Sequence, residues 1–161
     1  MSTIVATAIV VENPAKKDEF LLVQEKPRKE IPGIGGQYNL PAEQKEPGEM
    51  IIPCGMRAGK EETGYEVEPT HLIGVYHHPN VAGNDIIIFA IAAKIVGGKL
   101  HTREELPADI LSAGWVPWEE IQSLRRQGKL VSHYVALAIL RYRYRCSEVL
   151  PLEAIKEIKI P

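Results

Sequence analysis

Residues 43–65 read EQKEPGEMIIPCGMRAGKEETGY, and no other stretch restricts the fold so tightly. Its second half has the features of a helix ending near Thr63, with Gly64 placed to stop it. The segments around it are extended. Residues 3–11 are rich in Ile and Val on both parities, which suits a strand buried on both faces. Residues 85–95 contain Ile86, Ile87, Ile88, Phe89 and Ile91, the strongest strand signal in the chain, expected at the centre of a sheet. Strands before and after a central helix, with two further helices late in the chain, predict an α/β or α+β sandwich built on a mixed sheet.

Between these landmarks, residues 12–18 have turn composition, and residues 19–24 resume as a strand that would pair with the first as a hairpin. Residues 26–36 form a loop with two prolines and three glycines. Residues 65–67 and 71–78 are extended, and residues 99–109 form a polar loop. Pro117 is suited to the first turn of a helix through Arg126, with Gly128 as its stop. Ser132 would cap a last helix over about residues 132–146, whose apolar stripe is Val135, Ala138, Ile139, Tyr142 and Cys146. Arg141, Arg143 and Arg145 would then face water. Without repeats or a linker, residues 1–161 read as a single domain.

The totals exclude several classes of function. Nineteen basic and twenty-one acidic residues leave no net field to attract nucleic acid or an anionic membrane surface. The longest apolar runs, 4–11 and 86–93, are too short to span a bilayer. No basic segment precedes the first, so no signal peptide is expected. Cys54 and Cys146, the only cysteines, are expected to be reduced, and a cytoplasmic location follows.

The chemistry is concentrated in carboxylates. Advancing 100° per residue, positions 58, 61 and 62 fall within an arc of about 100°, so Glu61 and Glu62 share a helix face with Ala58. Neighbouring carboxylates in a cleft call for a cation, and oxygen ligands suit Mg²⁺ or Mn²⁺. Glu49 can join that site or pair with Arg57. In the loop of residues 26–36, Lys26, Arg28 and Lys29 are candidates to meet a phosphate, and Tyr38 offers a stacking surface for a base. His77 and His78 are adjacent on a strand and point to opposite faces, so they cannot hold one ion together without a bulge.

In spacing, the stretch resembles the Nudix box, the signature of the Nudix (MutT-like) hydrolases: glycine, five residues, Glu, seven residues, Arg-Glu, aliphatic, any residue, Glu-Glu, any residue, glycine, aliphatic. Glu49, Arg57, Glu61, Glu62, Gly64 and Tyr65 fall in register. Tyr38-Asn-Leu-Pro41 resembles the entry to the box, Cys54-Gly55 the small pair that seats the helix, and the segment from Asp109 to Pro117 the element that closes such domains. The likeness covers about residues 3–126 and implies a Nudix-type α/β/α sandwich with a mixed β-sheet.

The resemblance also implies a function: cleavage of a pyrophosphate bond in a nucleoside diphosphate linked to another group, or in a similar small pyrophosphate. Mg²⁺ or Mn²⁺ would be held by Glu61, Glu62 and Glu49, and Arg28, Tyr38 and Arg57 would contact substrate. Nudix proteins are often dimers, so a homodimer is a further expectation. Three positions depart from the pattern. Glu43 replaces the opening glycine, Gly59 the aliphatic residue, and Ala58 the glutamate after Arg57 that is often the base. That task would pass to Asp109 or Glu43. A non-catalytic module binding a nucleotide or phosphorylated metabolite is the other function this pattern allows.

Overall fold

The apolar run at residues 85–95 does become the centre of a sheet. The computed structural model describes residues 2–81, 83–144 and 150–156. In chain order its elements are β1 (Thr3–Val10), β2 (Glu19–Glu25), β3 (Tyr38–Asn39), β4 (Ala42–Gln44), α1 (Ile51–Thr63), β5 (Tyr65–Val81) and β6 (Asn84–Gly98). There follow β7 (Ile110–Pro117), α2 (Trp118–Arg126), α3 (His133–Tyr144), β8 (Leu150–Pro151) and a 3₁₀ turn, Leu152–Ala154. Five strands form a mixed sheet in the order β4–β1–β6–β5–β8, and β3–β2–β7 form an antiparallel second sheet. β1 runs parallel to β6, from Thr3 opposite Asp85 to Val10 opposite Ala92. Among the described residues, no helix is long and apolar enough to cross a membrane.

Two apolar layers flank the sheets. Ile9, Val11, Leu21, Val67 and Ala93 pack on the α1 side. Ala8, Val10, Phe20, Leu22, Ile121, Val135 and Ile139 pack on the side of α2 and α3. β1 thus buries both faces, as its double parity implies. Each fully buried Ile, Leu or Phe of these layers contributes about 1.5–3 kcal/mol.

The expected β1–β2 hairpin forms only at its base. Glu12 bridges Phe20, and the Leu21 amide donates to the Val11 carbonyl at 3.0 Å. Beyond that point the strands part into different sheets, because both edges of β1 are taken by β4 and β6. β7, within a segment expected only to lead into a helix, instead pairs along β2 from Glu19–Pro117 to Glu25–Ile110. That ladder slips between Gln24 and Glu25, a bulge that re-aims the end of β2. Pro117 is the residue before α2 rather than within it, and Gly128 follows its end with a φ of 67°. The Ser132 hydroxyl accepts from the Tyr134 amide, as a cap would. Arg143 does not face open water: its Nε donates to Asp18 at 2.8 Å and its guanidinium lies 4.8 Å above the Trp118 ring. Arg145 and Cys146 lie outside the described residues.

The glycines of α1, unfavourable by propensity, are explained by contact. A Cβ on Gly55 would stand 2.8 Å from Thr7 Cγ2, and one on Gly59 3.0 Å from Ile9 Cδ1. The helix therefore lies directly on β1, and the Thr7 hydroxyl donates to the Ile51 carbonyl at 2.9 Å. Pro53 falls in the first turn, where its missing N–H costs nothing. Gly64 ends the helix at φ 84°, and its amide donates to the Lys60 carbonyl. A side chain there would put Cβ 2.3 Å from the Lys99 carbonyl oxygen. Gly64→Ala is expected to destabilise the protein by about 2–3 kcal/mol, lowering the melting temperature by roughly 5–10 °C. Thermal unfolding followed by circular dichroism reads the change, and an unaltered melting curve contradicts it.

Candidate active site

Arg57 and Glu49 form a closed clamp. Arg57 Nε reaches Glu49 Oε1 at 2.8 Å, and Nη2 reaches Glu49 Oε2 and the Gln44 carbonyl at 2.9 Å each. The guanidinium holds the Glu49 carboxyl down at about 2, against the cost of burying it. The same contact raises the arginine. The clamp ties residues 44–49 to α1. Its outer side carries Glu61, half exposed, 3.4 Å from Arg57 Nη1, and Glu43, 3.7 Å away.

Glu62 points inward and is 3% exposed. Its Oε2 accepts from the Ala42 amide at 2.9 Å, across from the start of β4. Burial pushes its carboxyl well above the usual range against that hydrogen bond, and Glu43, Glu25 and Asp109 push the same way. Glu43 is also raised, first by burial, with Arg57 opposing and Glu61 and Asp109 adding. Ala58, one turn before Glu62, is fully buried.

Glu25, which no motif singles out, completes the cluster. It is 3% exposed. Its Oε2 accepts from Arg28 Nη2 at 2.7 Å and its Oε1 from Asn39 Nδ2 at 3.0 Å. Asn39 in turn accepts from the hydroxyl of Tyr134, whose own ionisation burial drives upward. Arg28 Nη1 lies 3.5 Å from Asp109 Oδ2, and the Lys26 amide donates to the Asp109 carbonyl at 2.8 Å. Two loops far apart in sequence thus meet beside Glu62. The one available signal was a charged residue ending an otherwise apolar strand.

The fold therefore brings Glu43, Glu62, Asp109 and Arg28 into one electrostatic group. Glu49 takes the second of the two places open to it, with both oxygens bonded to Arg57. Tyr38 is apart: on β3 it points away from Asn39, packs against the layer of α2 and α3, and lines a cleft of 760 Å³ with Gln24, Ser123 and Gln127. Among the described residues, no three acidic, His or Cys side chains stand ready as a metal cage. The donor chemistry nevertheless fits a hard divalent cation. Glu62 is a buried carboxylate, and the neighbouring charges that raise it are of its own sign.

A family model for the NUDIX domain matches residues 2–136. The human 8-oxo-dGDP phosphatase NUDT18 is 34% identical over 140 residues, covering 86% of this chain and 41% of that protein. The putative nudix hydrolase 1 of Caenorhabditis elegans is 30% identical, covering 76% of this chain and 31% of that protein. The chain thus spans well under half the length of these relatives. Its fold matches a NUDIX hydrolase from Nitrosomonas europaea with a TM-score of 0.80 and 29% identity, covering 96% of this chain and 97% of the other. With its box in register on α1 and a domain match over most of its length, the chain belongs to the Nudix family.

Proposed function

We propose that this protein hydrolyses the pyrophosphate bond of a nucleoside diphosphate or a similar small phosphoanhydride, with Mg²⁺ or Mn²⁺ bound at Glu62 and Glu61. The observation that carries this is the burial of Glu62 beside other carboxylates, with the ionisation of Glu62 and of Glu43 both raised. Such a cluster costs stability in the absence of a cation, which is usual for a site and unusual for a scaffold. A bound divalent ion would neutralise phosphate oxygens.

The protein's own groups divide the remaining work. Glu43, whose ionisation burial raises above the ordinary carboxylate value, is a better proton acceptor than an exposed carboxylate. It takes a proton from a water whose oxygen attacks phosphorus, while the bridging P–O bond breaks and its electron pair leaves on the departing phosphate. Asp109 orients that water from the facing loop, and Arg28 offers N–H donors to a phosphate. Arg57 is engaged by Glu49 and Gln44, so it acts by holding the loop of residues 43–49 in place. The relatives named 8-oxo-dGDP phosphatase favour a nucleoside diphosphate substrate.

The test is phosphate and nucleotide release from a panel of nucleoside diphosphates, their conjugates and small pyrophosphates with Mg²⁺ or Mn²⁺. Metal-dependent release is expected, falling on the order of 10²-fold or more in whichever of Glu43→Gln and Asp109→Asn removes the base. Rates unchanged in both variants would remove these assignments. Ala58 favours a second function, binding without turnover. Silence across the panel, with nucleotide still bound, would establish it.

A further inference from the structure

The carboxylate of Glu25 has a more specific task than filling a buried position. A charge taken out of water must be compensated, and here both oxygens are used, one by Arg28 Nη2 and the other by Asn39 Nδ2. Asn39 is held by the Tyr134 hydroxyl from α3. The bulge between Gln24 and Glu25 turns the strand end so that this carboxylate reaches the loop.

Arg28 lies in a segment of prolines and glycines, where a long side chain would ordinarily sample many rotamers. Instead it is anchored at one nitrogen, one-third exposed, 3.5 Å from Asp109, with a buried Nε–H that has no partner. A guanidinium has five N–H donors in a planar fork, so one bond to Glu25 leaves donors free for a second anion. Fixing the fork beforehand removes an ordering cost from binding.

We propose that Glu25 is the positioning residue for Arg28. It holds the guanidinium beside Glu43 and Asp109 so that its remaining donors meet a substrate phosphate, and Asn39 and Tyr134 fix Glu25 in turn. The proposal rests on Arg28 contacting phosphate, as the function above has it.

Methylenediphosphonate, a diphosphate that cannot be cleaved, serves as the probe. Its affinity is measured by titration calorimetry with Mg²⁺, alongside KM and kcat on whichever nucleotide the panel identifies. Glu25→Gln and Arg28→Ala should each weaken probe binding about tenfold, and the double variant no further, because Glu25 acts through Arg28. KM should rise with kcat nearly unchanged. Tyr134→Phe should give a smaller loss in the same direction.

A folded Glu25→Gln variant with native affinity overturns the proposal, as does a double variant in which the two losses add. If Glu25→Gln does not fold, Tyr134→Phe decides: unchanged affinity there overturns it. A native protein that binds no diphosphate overturns it outright. Nucleotide cleavage alongside an inert Glu25→Gln removes this proposal alone. Probe binding that needs both residues, without turnover on any substrate, removes only the hydrolase function.

Discussion

Glu62→Gln is expected to make the metal-free protein more stable above neutral pH while sharply lowering metal-dependent turnover. Burial raises the folded-state ionisation of Glu62 above its ordinary value of 4.5. The folded state then binds a proton that the unfolded chain has already released. The stability this group confers is therefore complete below about pH 4.5, and it is lost as pH rises through the elevated folded value. Glu43 acts with the same sign. Glutamine keeps the shape, removes the ionisation, and gives the surrounding carboxylates an N–H donor.

The expected gain at pH 8 is on the order of 1–3 kcal/mol, visible as a higher melting temperature and a flatter dependence on pH. Turnover should fall on the order of 10²–10⁴-fold. Mg²⁺ should stabilise the native protein, by about 2.7 kcal/mol at a hundred times its dissociation constant, and leave the variant unmoved. A variant less stable than the native protein at pH 8, or one that keeps its Mg²⁺ response, would remove Glu62 from the metal site.

Ala58→Glu should act in the opposite direction on the stability of the metal-free protein. Position 58 is fully buried one helical turn from Glu62, so a new carboxylate there must share space and charge with it. Without metal, the added bulk and unpaired charge should cost about 2–4 kcal/mol. With Mg²⁺ the two carboxylates share a cation and much of that loss should return. Turnover should be little changed, because Glu43 already supplies the base. A rate raised on the order of 10²-fold or more in a well-folded variant would mean that the native site lacks a strong base, and would remove Glu43 and Asp109 from that role. Melting curves with and without Mg²⁺, taken beside initial rates, separate these outcomes.

The elements that could be anticipated were those whose signal is local. Residues 85–95 form a strand because their side chains suit no other state, and α1 ends at Gly64 because only glycine accepts that turn readily. The box spacing located Glu61 and Glu62 in the same way. What stayed hidden depends on partners distant in the chain. The departure of β2 from β1 follows from edges already occupied by β4 and β6. β7 carries Ala113 and Gly114 in mid-strand, which weakens any strand pattern, and it forms because β2 pairs with it. Glu25 carried only the faint signal of a charge ending an apolar strand, because its meaning comes from Arg28, Asn39 and Tyr134, the last more than a hundred residues away. The assignment of Glu49 to Arg57 rather than to Glu62 was likewise decided by the loop of residues 43–49.

The parallel pairing of β1 with β6 also dictates an order of events during synthesis. The ladder matches residue 3 with residue 85, so the first strand emerges from the ribosome some eighty residues before its long partner. Until then a segment apolar on both faces has the three-residue ladder with β4 at one edge and α1 over one face, while its long edge stays open. Pairings that span such distances form slowly, since loop closure must precede any contact that rewards it. The nascent chain is thus most prone to association before β6 appears. Cooler expression, which slows association relative to folding, should raise the soluble yield.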